Sequence, residues 1–281
     1  MNNFHLAGII PVQKNDFSFD FEWPDCMMPI ASKLTAIERS VMECAWAGCE
    51  TIWIICNDDV SPVIRHRVGE LVQDPVWLRK LDTHPSANRR AIPIFYVPIH
   101  ARHRDKIDCF GWSILYGALT AFKTSINLRL TYSVYDPKIV RGHRLDISSP
   151  RGFYLSHEGK TIRDGEKLGF TFDKDDFVNY RRVIRREGVG LYKSPTVGKF
   201  PRERHPVGQR HTARNFPLEK IFGGANIEDS KVVELPWSYA IDNWDNYVTY
   251  MASEHQSLVT RPNKLFLSYR EWNEIGVDVD E

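Results

Sequence analysis

The first 57 residues constrain this chain most, because the signals for one β-loop-α-β unit follow one another in order. Leu6–Val12 is an apolar run of strand length, the pattern of a strand buried in a sheet. Thr35 and Glu38 stand at capping-box spacing. The Thr hydroxyl can accept from the Glu38 amide while the Glu carboxylate reaches back to the Thr amide, so a helix starts there. Gly48 stops that helix, and Glu50–Cys56 supplies a second strand. Together they make one right-handed crossover unit. Gln13–Glu22 then forms a loop at the carboxyl end of the first strand, where open α/β sheets bind ligands.

The pattern continues through the first half. Asp58-Asp59-Val60-Ser61-Pro62 starts a short helix carrying Arg65, His66 and Arg67, and a helix is expected around Pro75–Leu81. Ala91–Ile99 reads as a third strand whose two prolines sit near an edge or at strand ends. Phe110–Phe122 repeats its apolar residues at helical spacing, and Arg129–Tyr135 reads as a fourth strand closed by Asp136-Pro137. Alternating strands and helices predict an α/β fold with a doubly wound, mostly parallel sheet. From Gly152 to Phe172 the alternation, with turns at His157-Glu158-Gly159 and Asp164-Gly165, predicts a small antiparallel hairpin. Ser230–Ile241 regains strand character, Asn243 opens a helix, and Leu265–Tyr269 is a late edge strand. The expected organisation is an α/β core over 1–150, a β insertion and basic arm over 151–229, and a strand and helix over 230–281 completing the core.

With 281 residues, 42% of them hydrophobic, the chain can bury a sizeable core as one large domain or a domain with an appended lobe. A net charge of +1 gives no global preference for nucleic acid, membrane or acidic substrates. No run reaches the length of a membrane span, and the start, with Asn2, Asn3 and His5, lacks the basic and apolar regions of a signal peptide. The five cysteines lie in apolar surroundings without a Cys-x-x-Cys pair, which reads as reduced thiols in the cytoplasm. The histidines form no zinc pattern, and no Gly-x-Ser-x-Gly or Walker-type motif is present.

The stretch Gly8–Val12, then Trp23-Pro24-Asp25-Cys26-Met27-Met28-Pro29-Ile30, then Ala47-Gly48-Cys49-Glu50-Thr51-Ile52-Trp53-Ile54-Ile55 resembles sugar-nucleotide nucleotidyltransferases and related GT-A-type glycosyltransferases. Pro24–Ile30 is also similar to a variant found in phage-encoded proteins, which implies a divergent, phage-type branch working in the host cytoplasm. The resemblance implies a nucleotide or sugar nucleotide as ligand, with Pro11, Val12, Gln13, Asp25, Asn57, Asp58 and Arg65 lining its site. The loop Gln13–Ser18 has no glycine or arginine, and Asp25 stands where the family has a lysine. Lys14 is then the loop's replacement cation and a candidate catalytic residue.

The resemblance also implies Mg²⁺. Asp136, at the end of the expected fourth strand, is one candidate ligand and catalytic residue. It reads equally as an Asp-Pro turn. Asp242, in Ala240-Ile241-Asp242-Asn243-Trp244-Asp245, matches the family's late carboxylate segment, while Asp242 or Asn243 also reads as a helix N-cap. Asp59 is expected to cap the helix after the second strand. Residues 181–220 hold eleven Lys or Arg against three acids, an arm that can dock a protein or nucleic acid. Two functions follow. One is Mg²⁺-dependent transfer involving a nucleoside triphosphate or sugar nucleotide and a sugar or sugar phosphate. The other is a catalytically degenerate member of the fold that binds partners through the arm.

Overall fold

A computed structural model describes residues 5–12, 24–73, 91–99, 110–131, 153–187, 217–224, 230–241, 243–261 and 266–267. The chain divides into two units, Met1–Ile99 with Gly117–Asp146 and Ile241–Glu281, and His100–Tyr116 with Ile147–Ala240.

The first unit is mixed α/β around a mostly parallel sheet. Its strands are β1 (Ala7–Pro11), β4 (Thr51–Cys56), β6 (Ala91–Pro98), β5 (Leu71–Gln73) and β9 (Phe266–Leu267), in that spatial order. β1, β4 and β6 run parallel, with Ile9 opposite Trp53 and Trp53 opposite Phe95. β5 is antiparallel to both β6 and β9, so it alone opposes the common direction. All six residues of β4 are buried, as expected of a strand flanked on both sides in a parallel sheet.

The β-loop-α-β reading of the first 57 residues is seen here. After β1 come a short hairpin of β2 (Pro29–Ala31) and β3 (Leu34–Thr35), then α1 (Ala36–Trp46). The Thr35 amide donates to the Glu38 carboxylate at 2.8 Å, closing the capping box. Gly48, at φ 87°, takes the left-handed turn that ends α1. A Cβ on Gly8 would sit 2.8 Å from the Cys44 sulfur, so glycine is what lets α1 pack against β1. α2 (Ser61–Val68) follows β4, and α3 (Phe110–Thr131) follows β6. In α3, a Cβ on Gly117 would meet the side chains of Ile55 and Ile9 at 2.5 and 2.9 Å. By strand register Gly8 and Ile9 point to opposite faces, so α1 and α3 cover opposite faces of the sheet. Among the described residues no helix is long and apolar enough to cross a membrane.

The expected strand at 129–135 is corrected at its start: residues 129–131 are the last turn of α3. The reason is periodicity that runs on past 122. Leu119, Phe122, Ile126 and Leu130 keep helical spacing with no intervening glycine or proline. The expected helix around 75–81 lies outside the described residues.

The second unit holds β7 (Phe153–Ser156), α4 (Lys174–Glu187), α5 (Leu218–Phe222) and β8 (Lys231–Glu234). Both expected turns form, with Glu158, Gly159 and Gly165 at positive φ. The antiparallel hairpin is corrected to something smaller. Tyr154 makes an isolated bridge to Phe170 and His157 one to Lys160, while the full partner of β7 is β8, in parallel. Alternation marks a half-buried strand but does not name its partner. Tyr154, Phe170, Phe172, Tyr180 and Phe222 form the aromatic core of this unit, with ring centroids 5.0–5.8 Å apart.

Candidate functional site

Parallel strands end their backbones on one edge, and in the first unit that edge holds Pro11, Val12, Asn57 and Asp58. Val12 continues β1 and donates to the Ile55 carbonyl at 2.8 Å, which fixes Pro11 and Val12 beside the end of β4. β4 ends at Cys56, and the next residue, Asn57, turns the chain into α2. Its carbonyl accepts from the amides of Val60 and Ser61 at 3.2 and 2.9 Å. With the backbone so used, the Asn57 side chain is left to other work. Its Oδ1 is buried and has no hydrogen-bond partner among the described residues. A buried acceptor left unmade costs about 1–3 kcal/mol, so this atom is the feature of the edge most in need of a donor from outside.

Asp58 and Asp59 are exposed on the same turn. The expectation that Asp59 caps α2 is corrected. The N-cap is Val60 and carries no side-chain cap, and Asp59 accepts only from the adjacent Val60 amide at 3.1 Å. The Asn57 carbonyl takes over the work of closing the first turn.

Asp25 opens a 3-10 turn, Asp25–Met27, and its carbonyl accepts from the Met28 amide at 3.0 Å. Electrostatics tie this turn to the end of β4. Burial raises the Cys26 thiol to about 12, helped by the nearby Cys56 and Asp25. Cys56 is raised to about 11, again chiefly by burial, against a hydrogen bond with Ser61 and with Asp58 and Asp59 close by. Cys26 is thus within electrostatic reach of Cys56, and Cys56 of Asp58 and Asp59. No spacing in the sequence signalled that these two thiols would come within electrostatic reach of each other.

Arg65 is placed differently from its expected role. Its guanidinium pairs with Glu70 and lies over the Tyr96 ring, 5.9 Å from the centroid. The Tyr96 hydroxyl donates to the Gly69 carbonyl at 2.6 Å. These contacts fasten the end of α2 to β6.

The late segment returns to the early one. Ile241 packs with Met28 and Tyr247. Asn243 caps α6 (Trp244–Met251), its Oδ1 accepting from the Asn246 amide at 2.8 Å, as one reading of this stretch expected. The Tyr247 and Tyr250 hydroxyls donate to the carbonyls of Pro29 and Ile30 at 2.7 and 3.1 Å. Farther on, Arg261 reaches Glu38, which is fully buried. Arg67 Nη2 lies 3.1 Å from one Glu38 carboxylate oxygen and Arg261 Nη2 3.2 Å from the other. The Arg261 contact is ionic, without hydrogen-bond alignment on Glu38 Oε1. The sequence marked Glu38 only as a helix cap.

Lys14, Gln13, Asp136 and Asp242 lie outside the described residues. Among the described residues no group of three or more His, Cys, Asp or Glu side chains stands ready to hold a metal ion. The arrangement offers one buried hydrogen-bond acceptor, exposed carboxylates and backbone at the edge, a set suited to holding a polar ligand. No protein-family model, curated protein or solved structure matches the chain.

Proposed function

We propose that the first unit binds a nucleotide or sugar nucleotide at the carboxyl edge of β1 and β4 and transfers its nucleotidyl or sugar group to a sugar or sugar phosphate. In this reading the unit is a divergent member of the nucleotidyltransferase and GT-A type. The carrying observation is the buried Oδ1 of Asn57 at the end of β4, which has no hydrogen-bond partner among the described residues. A base amino or imide N–H, or a ribose hydroxyl, supplies the donor it lacks.

In the nucleotidyl form of the reaction, an oxygen of the sugar phosphate attacks the α-phosphorus of the triphosphate and the bond to the β-phosphate breaks, releasing pyrophosphate. No side-chain nucleophile is needed, because alignment and charge neutralisation carry such a step. Lys14, two residues beyond Val12, is the proposed cation for the phosphates. Asp136 and Asp242 are the proposed ligands of Mg²⁺, which when bound would neutralise phosphate charge. The packing of Ile241 on Met28 supports the late segment's part in the site, since it brings residue 241 beside the Pro24–Ile30 stretch.

Calorimetric titration with nucleoside triphosphates and sugar nucleotides, with and without Mg²⁺, tests the reading. Asn57→Leu is expected to weaken binding by about 1–3 kcal/mol, roughly 5- to 150-fold. Asp136→Ala is expected to remove the Mg²⁺-dependent part. Absence of binding by every nucleotide tried would sink the proposal.

A further inference from the structure

Helix α4 (Lys174–Glu187) separates its charges along its length. Asp173 accepts from the amides of Asp175 and Asp176 at 2.8 and 2.9 Å, so the acidic end is spent on capping. The other end carries Arg181, Arg182, Arg185 and Arg186. Complementing the helix dipole accounts for cations in the last turn, since the effect fades beyond it. It does not account for Arg181 and Arg182, a turn farther in. Positions 181 and 185, and 182 and 186, are like charges at i, i+4, which costs the helix a few tenths of a kcal/mol per pair. The positions three and four residues before each arginine hold Phe177, Val178, Asn179, Arg181, Arg182 and Val183. None is acidic, so the helix supplies no neutralising partner one turn back.

Arg182, one of these charges, lies on the exposed side of α4. Phe177 and Tyr180 are buried in the aromatic core, whereas Val178 and Arg182 are exposed. Positions 182 and 186 lie one turn apart along the helix. Equal charges recur about every 6 Å along such a row, close to two steps of the roughly 3.4 Å rise per phosphate along one nucleic-acid strand. An amphipathic helix binds a membrane by inserting its apolar face, and here that face is occupied by the unit's own core.

We infer that the Arg181–Arg186 end of α4 is a docking surface for the phosphate backbone of nucleic acid. The two rows of guanidiniums contact phosphates and not base edges, so binding is independent of sequence and steep in salt. The inference concerns the second unit and stands apart from the nucleotide site of the first.

The test is fluorescence anisotropy of the full chain with a DNA duplex of about 20 base pairs and with a single strand of the same length, from 50 to 200 mM salt (a range chosen to span the usual loss of phosphate contacts). With Arg181, Arg182, Arg185 and Arg186 all changed to Gln, the slope of log affinity against log salt is expected to flatten by up to about 3.6 on the duplex. Over that range this corresponds to roughly a 150-fold smaller salt-driven loss. The exposed single reversal Arg182→Glu, with helicity checked by circular dichroism, is expected to weaken binding several-fold at the lowest salt. Three results would overturn the inference: no binding of either nucleic acid at the lowest salt, a slope unchanged by the four substitutions, or binding to anionic vesicles while both nucleic acids are ignored.

Discussion

Replacing Glu38 by Gln removes one charge from the interior of the first unit and almost nothing else. The carboxylate is 0% exposed and takes the Thr35 amide at 2.8 Å, the Thr35 hydroxyl at 3.0 Å, and the guanidiniums of Arg67 and Arg261 at 3.1 and 3.2 Å. Gln fits the capping box as well as Glu does, so the local helix start survives. What changes is that a neutral amide, with two N–H donors of its own, now faces two cations. Breaking a buried pair costs about 3–5 kcal/mol when the remaining charge is stranded. Both arginine side chains are 34% exposed, and water takes up part of their charge, so the expected loss is about 2–3 kcal/mol. In urea that moves the unfolding midpoint down by about 1 M. Hydrogen exchange of the α1 and β4 amides shows whether the loss is local to this unit. Arg261→Gln alone leaves the Arg67 pair intact and should cost about 1 kcal/mol. The double variant should cost less than the sum of the two, because the contact is shared. A shift below about 0.5 kcal/mol for Glu38→Gln, or additive single effects, would show that the ion cluster holds nothing together.

Gly8→Ala and Gly117→Ala each place a Cβ under 3 Å from a core side chain, on opposite faces of the sheet. Each should destabilise by about 1–3 kcal/mol, measured by thermal unfolding, and an unchanged midpoint in either would deny that helix its packing face. Burial raises Cys26 to about 12 and Cys56 to about 11, so their thiolates are scarce at neutral pH and grow as pH rises. Timed alkylation at pH 8 read by mass spectrometry should find both at least about 100-fold slower than a free thiol; labelling at the free rate refutes their burial. The Glu234 carboxyl is held below its ordinary value, first by its hydrogen bond from Ser156. A lowered folded value means this contribution is present above the unfolded value of about 4.5 and is lost as pH falls through the folded one. Glu234→Gln should therefore flatten the acid-side loss of hydrogen-exchange protection in β7 and β8, and a wild-type acid limb in that variant would rule the contact out.

The elements legible in the sequence are those whose cause is local. Thr35 and Glu38 cap α1 because they are three residues apart, and Gly48 ends it because only its own backbone must turn. β4 reads correctly since a strand buried on both faces has no polar position to break its run. The failures share a different cause. Arg129–Thr131 looks like strand by residue type, yet the helix begun at Phe110 propagates through it, since each added residue costs little once a helix is nucleated. β7 announces itself by alternation, but its partner is β8, more than seventy positions on, and no local rule chooses among distant partners. β5 is three residues long, too short to show a period.

The candidate site divides along the same line. That Asn57 follows a buried strand is readable; that its backbone carbonyl is consumed by Val60 and Ser61, with Oδ1 left buried and without a partner among the described residues, depends on how the turn into α2 closes. Pro24–Ile30 and the stretch around Ile241–Tyr247 lie more than two hundred residues apart in the chain. Pro29 and Ile30 sit on a short hairpin strand paired on one side by β3, which leaves carbonyls to be satisfied on the other. Tyr247 and Tyr250 donate to those two carbonyls, and Arg261 closes on the buried Glu38 that caps the helix right after the hairpin. An edge strand of this length has little stability alone. Its position, and with it the position of Asp25 and Cys26, therefore depends on a segment the sequence supplies only after the whole second unit has been traversed.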